Sequence, residues 1–123
     1  MIKERAMELV VALRSGKYKQ GKEWLRKGDA FCCLGVACDL YDRTGWRKTS
    51  TDEFYHQENR SITLPTLVAG YFGFNTPEGS TRNGAIIWDN KEGRGSVSLT
   101  DANDSGATFA ALADYIEANW ENL

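Results

Sequence analysis

Between Arg14 and Lys27, six basic residues (Arg14, Lys17, Lys19, Lys22, Arg26 and Lys27) interleave with Tyr18 and Trp24. Phosphate oxygens attract Lys and Arg, and nucleobases stack on aromatic faces. The mixture suits a nucleotide, another phosphate-bearing small molecule or a short nucleic acid. A solvated loop pinned into the core by Trp24 and Leu25 uses the same residues and is the commoner arrangement. Arg82, Asn83 and Trp88 form a second polar and aromatic group. Trp88 lies in a strand-like AIIWD run, where an indole usually serves the core. The candidate ligand-binding residues are Lys17, Tyr18, Lys22, Trp24, Arg26 and Arg82.

Other chemistries fit less well. Cys32, Cys33 and Cys38 lack the paired spacing of a zinc site, and the only histidine, His56, sits far along the chain. A reactive thiol needs a base and an accessible sulfur. Reduced, buried thiols in a core are the expectation. Asp101, Asn103, Ser105 and Gly106 match the start of a calcium loop, but Leu112 stands where its closing Glu belongs. A capped turn explains the same residues, and no metal or cofactor is expected. The glycine-bearing turn Lys91–Ser96 could cradle a phosphate with its amides and Arg94, as could many ordinary hairpin turns. Asp39 and Asp42, three apart, share a helix face but lack a neighbouring His or metal signature. No catalytic residue is therefore assigned, and a metal-dependent hydrolase using Asp39, Asp42 or His56 ranks last.

These residues need a scaffold, and the chain supplies one. With 123 residues, 41% of them hydrophobic, it fits one folded domain spanning 1–123. No apolar run is long enough for a membrane span, and the mixed charges of the first ten residues are unlike a signal peptide. A cytoplasmic location is the default. Net charge is −2, with eight Lys/Arg against three Glu in residues 1–28 and five Asp/Glu without Lys/Arg in 95–123. Opposite charges at the two ends read as ends that lie near each other or simply face water, and the sharper alternative is a basic surface facing a phosphate-bearing partner.

The most apolar run, Gly28 to Tyr41, predicts a buried central helix over about 30–43, with Asp29 at its start and Gly45 past its end. Amphipathic spacing predicts helices over 3–14 and 107–120. Leu64–Phe74 reads as a short helix, with Thr63 as cap, Pro65 in the first turn and Gly73 as its stop. Residues 17–27 read as a loop or short hairpin turning at Gly21, and 85–89 with 96–99 as a second hairpin. The expected fold is α+β: three to four helices around the central one, with a small antiparallel sheet.

Two passages carry a resemblance. RSGKYKQGKEWLRKGDAFCCLGVACDLY (14–41) is similar to SGxYxQGxxxLRxGDxFCCLGVxCDLY, and SLTDANDSGATFAALADYIE (98–117) to LNDxGxSFxxIADxIE. Between them stands a Leu-Pro followed by an apolar helix ending in Gly-Phe. The order resembles a family of small, uncharacterised phage and prophage proteins. Ala102 stands where the family usually has Leu, and Tyr71-Phe72 where it often has Trp-Leu; both read as packing changes. The resemblance implies a phage accessory product acting in the host cytosol and supplies no catalytic residues. The expected function is non-catalytic binding that blunts a host defence by sequestering a nucleotide-type signal. The alternative is a module that binds a host or phage protein. A homo-oligomer with a pocket between subunits is a further expectation.

Overall fold

The computed structural model describes all residues from 1 to 123. Five α-helices, α1 (Lys3–Arg14), α2 (Cys33–Tyr41), α3 (Thr66–Phe72), α4 (Leu99–Asp104) and α5 (Phe109–Asn119), share one apolar core. Strands β1 (Lys19–Gln20), β2 (Arg26–Lys27), β3 (Ala30–Phe31), β4 (Arg47–Lys48) and β5 (Glu53–Tyr55) form a sheet of order β1-β3-β2-β5-β4. Strands β6 (Trp88–Asp89) and β7 (Gly95–Ser96) form a separate hairpin. The fold is α+β.

Helix α2 is the central element. Every residue from Cys33 to Asp39 is buried. It starts later than the sequence predicts, because Gly28 and Asp29 form the turn between β2 and β3 instead of a helix cap. Gly28 holds a left-handed φ of +59°, which an L side chain rarely adopts. The actual cap is Cys32, whose Sγ accepts from the Gly35 amide at 3.4 Å. Gly35 is fixed by proximity: an added Cβ would lie 1.7 Å from the Leu25 carbonyl oxygen. All three thiols are free and buried, and burial pushes the Cys32 thiol up to about 11. Burial likewise raises those of Cys33 and Cys38.

The expected turn at Gly21 is absent. Strand β1 runs parallel to β3, so the sheet is mixed, not purely antiparallel. Gly21 lets β1 approach β3: its amide donates to Phe31 O at 2.8 Å, and a Cβ there would meet Ala30 Cβ at 3.0 Å. The Asn103 amide anchors this approach from below. Its Oδ1 accepts from Gln20 Nε2 at 2.8 Å and Cys33 N at 3.3 Å, and its Nδ2 donates to Gly21 O at 2.8 Å. Gln20 completes the network, donating to Ala107 O and accepting from Phe109 N. Residues 101–104, the start of the calcium-like run, lie in helix α4, and Asn103 is committed to this buried network.

Helix α3 begins at Thr66, beyond the expected Thr63 cap, and stops at left-handed Gly73. The Glu58 carboxylate serves as its cap by accepting from Thr66 N and, at 3.0 Å, from Thr66 Oγ1. Helix α5 is capped by Thr108, whose Oγ1 accepts from Ala111 N at 3.1 Å. Helices α1 and α5 pack along each other. Across this contact one residue of the basic end meets the acidic end: Arg14 pairs with Asp114 at 2.7 Å and Glu117 at 3.1 Å.

Candidate functional site

Register divides the five-stranded sheet into two unlike faces. Phe31, Arg26, Phe54 and Lys48 lie opposite one another across β3, β2, β5 and β4. Opposed residues share a face. The Arg26 guanidinium therefore lies over the Phe54 ring at 4.0 Å and near Phe31 at 5.1 Å, while its Nε donates to Gly28 O. Trp46 closes this face edge-on to Phe31 and Phe54. Behind it is buried Asp39, which accepts from Tyr18 Oη at 2.6 Å and Trp46 Nε1 at 3.0 Å and pairs with Arg43 at 3.5 Å. Burial and the Asp39 charge raise the Tyr18 phenol pKa. Every strong group here has a partner.

The other face carries Lys27 opposite Glu53, and Arg47 opposite Tyr55. It opens into a two-lobed cleft. One lobe, about 430 Å³, is lined by Asp42, Arg47, His56, Gln57 and Glu58 among others. The second, about 510 Å³, has Trp24, Thr49, Thr51, Glu53 and Ser61. Tyr55 and Asn59 line both.

Backbone strain collects at this cleft. The non-glycine residues with left-handed φ are Glu23 (71°), Asp52 (75°), Glu58 (58°) and Asn59 (56°). Glu58 and Asn59 line it, Asp52 lies between the lining residues Thr51 and Glu53, and Glu23 precedes Trp24. Asn and Asp tolerate this region, whereas Glu has no such preference, and strained residues concentrate at binding sites.

The cleft is rich in acceptors. Asp42 takes hydrogen bonds from Thr44 N at 3.0 Å and Thr44 Oγ1 at 2.7 Å, Glu53 from Thr49 and Thr51, and Glu58 from Thr66. These bonds hold all three carboxyls below their ordinary range, so they are charged at neutral pH. Glu53 is also paired with Lys27 at 3.7 Å. Arg47 is exposed and forms no ion pair.

His56 is only 2% exposed, and its Nε2 lies 2.9 Å from the Asp42 carbonyl oxygen. That oxygen only accepts, so Nε2 carries a proton. The ring is wedged edge-on to Trp46 at 4.8 Å and against Gly45, where a Cβ would lie 2.5 Å from Nε2. Nδ1 has no partner, and neither does the buried Gln57 Oε1.

The six predicted ligand residues do not form one site. Trp24 lines the cleft. Arg26 is spent on the opposite face. Lys17 and Tyr18 border a groove of about 550 Å³ between α1 and α2, beside Met7, Leu40 and the 68%-exposed Val11. Lys22 is exposed at a tight turn, its carbonyl accepting from Trp24 N at 2.8 Å. Arg82 is exposed elsewhere, its amide on Asn122 O at 2.9 Å.

The Lys91–Ser96 turn offers no amide cradle. Asn90 Oδ1 accepts from Glu92 N and Arg94 N, and Asn90 O from Gly93 N. The acid–base residues weighed for a hydrolase are engaged as described, and no three His, Cys, Asp or Glu side chains converge where they could hold a metal ion.

A family model described as a domain of unknown function, DUF8296, matches residues 1–120. The chain belongs to this family. No curated protein and no solved structure matches it. The match takes in both sheet faces, the cleft and the buried Asn103 network. No helix is long and apolar enough to cross a membrane.

Sequence reasoning missed Arg47, Tyr55, Gln57 and Asn59 as lining residues. The available signal was the segment 46–61 itself: it is polar for its length, yet holds Trp46, Phe54, Tyr55 and the one histidine. Aromatics scattered through a polar stretch mark an ordered segment that presents its polar groups.

Proposed function

We propose that this protein is a non-catalytic accessory binder that holds a nucleoside-type ligand in the two-lobed cleft. The observation that carries the reading is a cleft lined by two strained non-glycine residues, Glu58 and Asn59, and by aromatic surfaces at Trp24 and Tyr55, with the other two, Glu23 and Asp52, next in sequence to lining residues. The rings suit the face of a base. Glu53, Thr49, Thr51 and Ser61 suit sugar hydroxyls. Arg47 is the one uncommitted cation and matches a single phosphate, whereas Asp42, Glu53 and Glu58 oppose a polyphosphate. Dispersal of the other basic residues moves the expected ligand from a phosphate-dominated one to a base-dominated one.

The resemblance to phage and prophage proteins supports a setting in the host cytosol, where holding such a molecule would withdraw a nucleotide-type defence signal. The test is thermal unfolding with nucleosides and their mono- and triphosphates. Ligand present at a hundred times its Kd stabilises by about 2.7 kcal/mol through mass action. Nucleosides and monophosphates should raise Tm more than triphosphates, Tyr55→Ala should abolish the rise, and the ligand should be recovered intact. A flat response to the whole panel would refute the reading. A host or phage protein bound at the α1–α2 groove would then favour the interaction-module alternative.

A further inference from the structure

We infer that this chain forms a two-fold dimer through the groove between α1 and α2, with α1 of one protomer lying antiparallel to α1 of its partner. The groove shares no lining residue with the two-lobed cleft, so the inference stands apart from the nucleoside reading. Its α1 wall is one ridge at helical spacing: Glu4, Met7, Glu8, Val11 and Ser15. In the middle of that ridge stands Val11, which at 68% is the most exposed of the large hydrophobic side chains. Met7, Tyr18 and Leu40, all half-buried, add apolar surface to the same groove.

Charge decides what covers this surface. Glu8 is paired with Arg5 at 3.1 Å and Arg43 with Asp39 at 3.5 Å. Glu4 and Lys17 line the groove too, but both are exposed and form no ion pair. Glu4 precedes Val11 by seven positions, and Lys17 follows it by six, just past the end of α1. A two-fold axis near Val11 therefore sets Val11 against its own copy and Glu4 of each protomer against the partner's Lys17. An isologous interface must complement itself, and an acid at one end, a base at the other and an apolar residue between them does so. The two acids and two bases of the groove cancel, so it favours neither a polyanion nor a strongly basic partner.

Sedimentation equilibrium of the full chain over a range of concentrations tests this. At the upper end the mass should be that of two chains. Val11→Glu, which sets like charges face to face on the axis, should leave only monomer. Glu4→Lys and Lys17→Glu should each weaken the dimer at least about tenfold, because each reversal makes two attractive contacts repulsive. Combining Glu4→Lys with Lys17→Glu restores opposite charges and should bring the dimer back. All three side chains are exposed and form no side-chain hydrogen bond, so every variant should fold. A chain that stays monomeric at every concentration would overturn the inference and leave the groove to a partner of another kind. A dimer that survives Val11→Glu would overturn it as well, as would a double variant that stays monomeric.

Discussion

The two faces of the five-stranded sheet follow opposite rules. On one, Arg26, Phe31, Trp46, Phe54 and Asp39 satisfy one another, and an arginine that reads as a ligand contact is used as packing. On the other, Tyr55, Arg47, Gln57 and Asn59 border open space, with left-handed backbone at Glu58 and Asn59 and, beneath the surface, two side-chain atoms without partners, His56 Nδ1 and Gln57 Oε1. The two faces are separated by the thickness of a strand and share β5, where Phe54 points one way and its neighbours Glu53 and Tyr55 the other. Residue type alone therefore does not separate structural from binding groups in this protein. What separates them is whether the fold has already supplied their partners.

That contrast is open to attack from either side. The largest effect belongs to the packed side: Gly35→Ala forces a methyl into the Leu25 carbonyl and should cost about 3–5 kcal/mol, seen as a collapse of the urea midpoint. Asp39→Ala should follow at about 2–4 kcal/mol, because it strands the Tyr18 hydroxyl and the Trp46 indole N–H. If either change left stability intact, the satisfied face would not be the structural one.

Acid tests the cleft side. Asp42, Glu53 and Glu58 have folded-state proton affinities below their unfolded values of 3.8, 4.5 and 4.5. Their stabilisation is thus complete above that range and is lost as pH falls through the lower folded values. Glu58→Gln should flatten the acid limb of a Tm-against-pH profile. The smallest effect has the opposite sign. Glu23→Gly relieves a left-handed residue and should raise stability by about 0.5 kcal/mol, with no loss of any side-chain hydrogen bond. Strain at Glu23 that proved neutral would weaken the link between backbone and cleft.

Much of the scaffold was legible. The stripes Ala6–Leu9–Val10–Leu13 and Phe109–Leu112–Ala113–Ile116–Trp120 predict α1 and α5, and all of these residues are buried except Trp120, which is half-buried and lies just past the end of α5. Thr108 and Gly73 mark ends by chemistry that acts locally. The sheet was not legible, because strands of two or three residues are too short to show alternation. Gly28-Asp29 also carries the same signal at a helix start and in a hairpin turn, and only the β2–β3 pairing decides. The cleft was hidden for a different reason. Trp24 reaches it from one loop and the other lining residues from β4, β5 and the turns around them, and the left-handed residues beside it are Glu, Asp and Asn, not the glycines that advertise such turns. The buried network was hidden likewise: Asn103 and Gln20 are both polar, and only their convergence across 83 positions makes each a core residue.

The packing of α1 on α5 has a consequence for how the chain reaches this state. Arg14 and Asp114 are 100 positions apart, so α1 finds its partner only when a segment made 100 residues later has emerged. The contact closes a loop of about 100 residues, and such distant contacts slow the search for the native state. Until α5 emerges, the stripe of Leu9, Val10 and Leu13 stays uncovered on that side, exposed to wrong partners during synthesis. The nascent chain is therefore most vulnerable to aggregation just before α5 is complete.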